Sequence, residues 1–197
     1  MPFIPSGKRA KQAKQKVQRE ARDEIIDRAL GAVRLVVYGP RVCLQSCFLA
    51  KRILDRVLPG HGFTLRLGSL HVLPLDQTIA PIAFDPRGPE GVDGGFHAWL
   101  EHTSGELIDP SICPTLTHDG YDVGGDDGYI ASRAKDVVFC NLRLIYEELP
   151  DLELFGADES EPHLARMMEV AMSGIPQQTS GTIYLDLRWR PGHGPRG

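Results

Sequence analysis

Three residues of this chain have the types and the order of a thiol-based acyl-transfer site: Cys43, His97 and Asp109. They are the parts of a nucleophile, a base and an orienter. A thiol is only a few per cent ionised near pH 7, so a neighbouring imidazole that takes its proton creates the attacking thiolate. Acid–base help of this kind typically contributes on the order of 10² to 10⁴-fold in rate. A carboxylate on the second ring nitrogen fixes tautomer and direction. Each residue alone has a plain structural alternative: a core thiol, a satisfied histidine beside Phe96 and Trp99, and a turn-capping aspartate before Pro110. The order of the three, and the elements they sit on, favour the chemical reading.

Those elements can be read around each residue. Cys43 opens a helix-like run over 43–58, closed by Pro59-Gly60. Its polar positions Lys51, Arg52, Asp55 and Arg56 share one side of the helical wheel. Leu44, Cys47, Phe48, Ala50, Ile53, Leu54 and Val57 cover the rest, the pattern of a buried central helix. Unpaired N–H groups and the positive end of the macrodipole in its first turn favour a thiolate at Cys43. Cys47, one turn further in, is expected to be buried and inert. His97 lies in the strand-like Gly95-Phe96-His97-Ala98-Trp99-Leu100-Glu101, and Asp109 ends Gly105-Glu106-Leu107-Ile108-Asp109-Pro110. The two segments form an expected hairpin that brings His97 and Asp109 together.

Accessory roles follow. Gln45 is a candidate donor to a substrate oxyanion, beside the N–H groups of the helix's first turn. Trp99 shares His97's strand face, where it packs beside the imidazole or meets substrate. Glu101, on that face too, is the rival to Asp109 as orienter.

The rest of the chain supplies the frame. Residues 8–37 read as one long helix with an optional break at Gly31. Val17, Ala21, Ile25, Ala29 and Val33 form its apolar stripe, and residues 8–19 carry six cations and no acid. A solvated face is the favoured reading of that basic run. Residues 63–73 read as a strand bent at Gly68, and residues 137–146 fit helix or strand equally. Residues 162–173 suggest an amphipathic helix, residues 182–189 a further strand, and residues 190–197 a disordered tail. We expect a single domain over 1–197, with a core at 38–189, in the α+β class: a central helix packed on an antiparallel sheet.

Composition sets limits. A chain of 197 residues can bury a full core, and 42% hydrophobic with 24% charged residues is ordinary for a soluble protein. A net charge of −4 gives no reason to expect nucleic acid as partner. No apolar run is long enough for a membrane span. The first residues lack the apolar core of a secretory signal, and the four cysteines do not resemble a disulfide scaffold, so a reduced, cytoplasmic protein is the expectation. No cofactor or metal is expected. Cys43 and Cys47 with His61, His71 or His97 could be drawn as zinc ligands, but no Cys-x-x-Cys or His-Glu-x-x-His pair supports this. The Asp-rich stretch 119–128 hints at calcium without the spacing of an EF-hand.

In this combination, Cys43-Leu44-Gln45-Ser46, Leu65-Arg66-Leu67-Gly68, His97-Ala98-Trp99-Leu100-Glu101 and Ile108-Asp109-Pro110 resemble the core of transglutaminase-like and papain-like cysteine hydrolases. Lasso-peptide-maturation proteases have a similar layout, and arylamine acetyltransferases share the order of the three residues in longer chains. The likeness covers roughly residues 38–111, with Pro59-Gly60-His61 stretching the helix-to-strand spacing. It implies a papain/transglutaminase-like fold and a Cys43 thioester, in a peptidase, amidase or acyltransferase acting on a peptide or amide. The alternative is a binding module that keeps the fold without the catalysis. Substrate, acceptor and oligomeric state stay open.

Overall fold

The computed structural model describes residues 7–37, 39, 42–76, 79–87, 95–124, 128–150, 152–155 and 186–189. Helix α1 (Gly7–Arg34) is followed by α2 (Cys43–Val57), then strands β1 (Phe63–Pro74), β2 (Ile82–Phe84), β3 (His97–His102) and β4 (Leu107–Asp109). A short helix α3 (Ile112–His118) precedes β5 (Ile130–Ser132), β6 (Asp136–Phe139), β7 (Leu142–Glu148), β8 (Leu152–Phe155) and β9 (Asp186–Trp189). Seven strands form one antiparallel sheet in the order β5-β4-β3-β1-β7-β6, with β2 pairing β1 beyond the end of β3. The chain is therefore α+β, with helices and an antiparallel sheet. Among the described residues, no helix is long and apolar enough to cross a membrane.

Alternation along the strands divides the core into two layers. Phe63, Leu67, Ala98, Leu100 and Ile108 point to one side, where they pack against Leu44, Cys47, Phe48, Leu49, Ile53 and Leu54 of α2 and Ile26, Leu30 and Val33 of α1. Burying a Leu, Ile or Phe is worth roughly 1.5–3 kcal/mol, so this face holds α2 in place. Leu70, Val72, Trp99, Leu107, Leu144 and Tyr146 point to the other side, against Ile112, Cys113 and Leu116 of α3. The cationic face of α2 remains turned outward, as its wheel predicts: Asp55 and Arg56 are exposed, while Lys51 and Arg52 are half-buried.

Four expectations are corrected or resolved. The apolar stripe of α1 does not begin at Val17, which is exposed, nor at Ala21. The helix docks through Ile26, Ala29, Leu30 and Val33, and it runs through Gly31 without a break. Gly68 marks a close approach rather than a bend. A Cβ there would lie 1.9 Å from the Glu147 carbonyl oxygen and 2.8 Å from Trp99. Residues 136–148 are a hairpin, turning at Cys140-Asn141 with Cys140 at φ 51°. The described part of the expected strand at 182–189 is β9, which pairs with β8 in a separate two-stranded sheet instead of joining the main one. The helix expected at 162–173, the tail 190–197 and residues 125–127 of the Asp-rich stretch lie outside the described residues.

Candidate functional site

The three residues of interest stand where elements begin or end. Cys43 is the first residue of α2, His97 the first of β3 and Asp109 the last of β4. The β3–β4 register pairs Leu100 with Ile108 and Glu101 with Leu107, which sets Asp109 opposite Trp99 and diagonal to His97 on the same face. Diagonal positions are within reach of long side chains. The His97 Nε2–H donates to Asp109 Oδ2 at 2.6 Å, with both side chains buried. An ionised carboxylate only accepts, so Nε2 carries the proton and Nδ1 is the nitrogen left for the thiol. Cys43 meets the start of β3 from the α2 side. Its Sγ donates to the Phe96 carbonyl at 3.9 Å, and its proximity to the imidazole contributes to the state of His97.

The carboxylate is saturated with donors. Oδ2 also accepts from Tyr146 Oη–H at 2.9 Å, while Oδ1 accepts from the Ser111 backbone N–H at 3.0 Å and its hydroxyl at 3.1 Å. Burial raises the Asp109 pKa, but His97, Ser111 and Tyr146 outweigh it and hold the carboxyl below its ordinary range. Burial likewise pulls His97 down, and the charge and hydrogen bond of Asp109, with the adjacent Cys43, push it up to about 10. Tyr146 is driven well upward by burial and by Asp109, so it stays a protonated donor. Ser111 could have been read from Asp109-Pro110-Ser111, since an Asp side chain commonly caps the N–H two residues on. Nothing in the sequence points to Tyr146, which reaches Asp109 from 37 residues away in a segment whose pattern fits helix and strand equally.

Other expected members take different places. Glu101 sits at the far end of β3, where it pairs with Arg66 at 3.3 Å and Lys135 at 3.5 Å, and it has no contact with the imidazole. Trp99 is fully buried, stacked 6.5 Å from His97 and edge-on to Tyr146, so it walls the imidazole and offers no surface to a substrate. That corrects its candidacy as a substrate contact. Gln45 is half-buried in the first turn of α2. Cys47 is wholly buried and donates to the Ala98 carbonyl at 3.2 Å, and burial carries its thiol well above the usual range. At the start of α2 no side chain among the described residues caps the helix, and Ser46 N–H is the first to reach back, to Val42 O at 2.9 Å. The N–H groups of Cys43, Leu44 and Gln45 therefore have no intrahelical acceptor.

No protein family, curated protein or solved structure matches this chain.

The opposed shifts of His97 and Asp109 predict how stability depends on pH. Between about 6.5, where His97 would titrate in the unfolded chain, and about 10, the native state binds the extra proton, so the His97 contribution falls as pH rises. Asp109, held low, contributes above the ordinary carboxylate range and loses that contribution on acidification. Urea midpoints for wild type and His97→Gln should therefore differ most near pH 6 and converge by pH 10. A difference independent of pH across this window would contradict the assigned shifts.

Proposed function

We propose that the chain is a cysteine-dependent hydrolase or acyltransferase with a papain/transglutaminase-like catalytic core, acting on a peptide or amide through a Cys43 thioester. The observation that carries this reading is the buried His97–Asp109 pair at 2.6 Å beside a thiol at the first residue of a helix. With its pKa raised, His97 already holds the Cys43 proton on Nδ1 as an imidazolium, and the sulfur attacks the carbonyl carbon of the substrate. The oxyanion is met by the N–H groups of the first turn of α2 that have no intrahelical acceptor, with Gln45 as a side-chain candidate. The C–N bond then breaks, and the amine leaves with the proton that His97 returns. Water or a second amine, deprotonated by His97, attacks the thioester carbon and releases the free thiol, so the enzyme ends as it began.

The binding-module reading draws on one observation, the burial of His97, which is 3% exposed, and of Asp109. Only the sulfur and the carbon it attacks must be reached by substrate, and Cys43 is the most exposed of the three at 9%. Burial of base and orienter is then the dry setting in which their hydrogen bond is strongest.

The test is acyl-enzyme formation with p-nitrophenyl acetate. The expected result is a burst of p-nitrophenolate equal to the enzyme present, an acetyl adduct mapped to Cys43, and its release by neutral hydroxylamine. Addition of glycinamide separates transfer to an amine from hydrolysis. Equal turnover by Cys43→Ala would refute the reading.

A further inference from the structure

Leu30 and Val33, in the last turns of α1, belong to the same apolar cluster as Cys43 and Leu44, with Phe96 and Tyr129 packed against it. Asp109 pairs with Ile130 at the start of β5, and the residue before it, Tyr129, donates its hydroxyl to Asp27 at 2.5 Å. About two helical turns beyond Asp27, Arg34 closes α1 with its guanidinium 6.0 Å from the centre of the Tyr129 ring. The charge of Arg34 is felt at the Cys113 thiol, which also feels Asp109.

The Nε and Nη2 atoms of Arg34 are closed off from solvent and have no hydrogen-bond partner among the described residues. These two nitrogens form one edge of the guanidinium, the edge whose N–H groups point in parallel. The same edge grips a carboxylate elsewhere in this protein. Arg87 holds Asp85 with Nε at 2.9 Å and Nη2 at 2.8 Å, and Arg143 holds Asp136 at 2.9 and 2.6 Å. Desolvating donors of a cation without an acceptor is unfavourable. A cation in the last turn of a helix is stabilised by the macrodipole, but that effect operates through charge in solvent and gives no reason to enclose this edge.

We propose that Arg34 is a substrate-recognition residue, and that the acyl substrate carries a carboxylate near the bond Cys43 attacks. This rests on the thioester reading of Cys43. A terminal carboxylate and an acidic side chain share the required chemistry, and a fork-on-fork contact fits both.

The test compares three alkylating probes at Cys43 by peptide mapping: N-iodoacetylglycine, N-iodoacetylglutamic acid α-amide and the neutral N-iodoacetylglycinamide. In the wild type an anionic probe should react about tenfold faster than the neutral one, the worth of a modest charged contact. The faster of the two anionic probes identifies whether a terminal or a side-chain carboxylate is read. In Arg34→Gln the anionic-to-neutral ratio should fall toward one. Arg34→Lys, which keeps charge without the fork, should give an intermediate ratio and serves if the glutamine variant does not fold. A wild-type ratio of one or less, or a ratio unchanged in both variants, would overturn the proposal. The neutral probe reports on the thioester reading separately: reaction at wild-type Cys43 no faster than at the exposed Cys140 would refute that reading instead.

Discussion

Asp109→Asn should give a folded protein whose acyl-enzyme formation is slowed by about 10² to 10⁴-fold, the usual worth of acid–base assistance. Four donors converge on the carboxylate, from His97, Tyr146 and both donors of Ser111. An amide has one acceptor oxygen and one donor NH₂ group. The backbone N–H of Ser111 cannot reverse, so the oxygen must turn to it and the NH₂ to His97. The imidazole then accepts at Nε2 and carries its proton on Nδ1, facing the thiol it should deprotonate. The buried mismatch also costs about 1–3 kcal/mol of stability, measurable by urea unfolding. Glu101→Gln should leave acylation unchanged and shift stability by no more than about 1 kcal/mol, because it alters only partly exposed pairs with Arg66 and Lys135. Greater damage from Glu101→Gln than from Asp109→Asn would show that the orienter is misassigned.

Gly68→Ala should be the most destabilising small substitution in the sheet, by about 3 kcal/mol or more. Its Cβ would stand 1.9 Å from the Glu147 carbonyl oxygen and 2.8 Å from the Trp99 ring. Neither can yield cheaply. The oxygen belongs to β7, paired with β1 from Gly68 to Pro74, and Trp99 is enclosed between His97 and Tyr146. Relief would require parting β1 from β7 or moving the ring that walls the imidazole. The variant should therefore lose stability and acylation together. A thermal midpoint within a degree or two of wild type would contradict this packing account.

These two positions show what the sequence disclosed and what it withheld. The α2 helix was legible because its polar residues collect on one side of a wheel, and the β3–β4 hairpin because two alternating runs flank His102-Thr103-Ser104-Gly105. Together they fixed which elements present Cys43, His97 and Asp109. The choice between Asp109 and Glu101 needed the register, since both lie on one sheet face and only strand pairing tells which is near His97. Gly68 read as a bend because sequence shows a missing side chain, not the carbonyl and indole that need its space. The tertiary partners Tyr146 and Arg34 left no local signal: one is a strand tyrosine, the other a cation ending a long helix. The α1 stripe was misplaced because Val17 and Ala21 keep the helical spacing although the main body begins only near Ile26.

The central claim, that His97 and Asp109 activate the Cys43 thiol, is tested most directly by the rate of iodoacetamide alkylation at each cysteine near pH 7. Cys140 is exposed and free and serves as the ordinary thiol within the same molecule, while Cys47 is buried and bonded to Ala98. Cys43 should react on the order of tenfold faster than Cys140 in the wild type, and His97→Ala should remove the advantage while Cys140 keeps its rate. Preferential labelling of Cys47, or a Cys43 rate indifferent to the loss of His97, would contradict it.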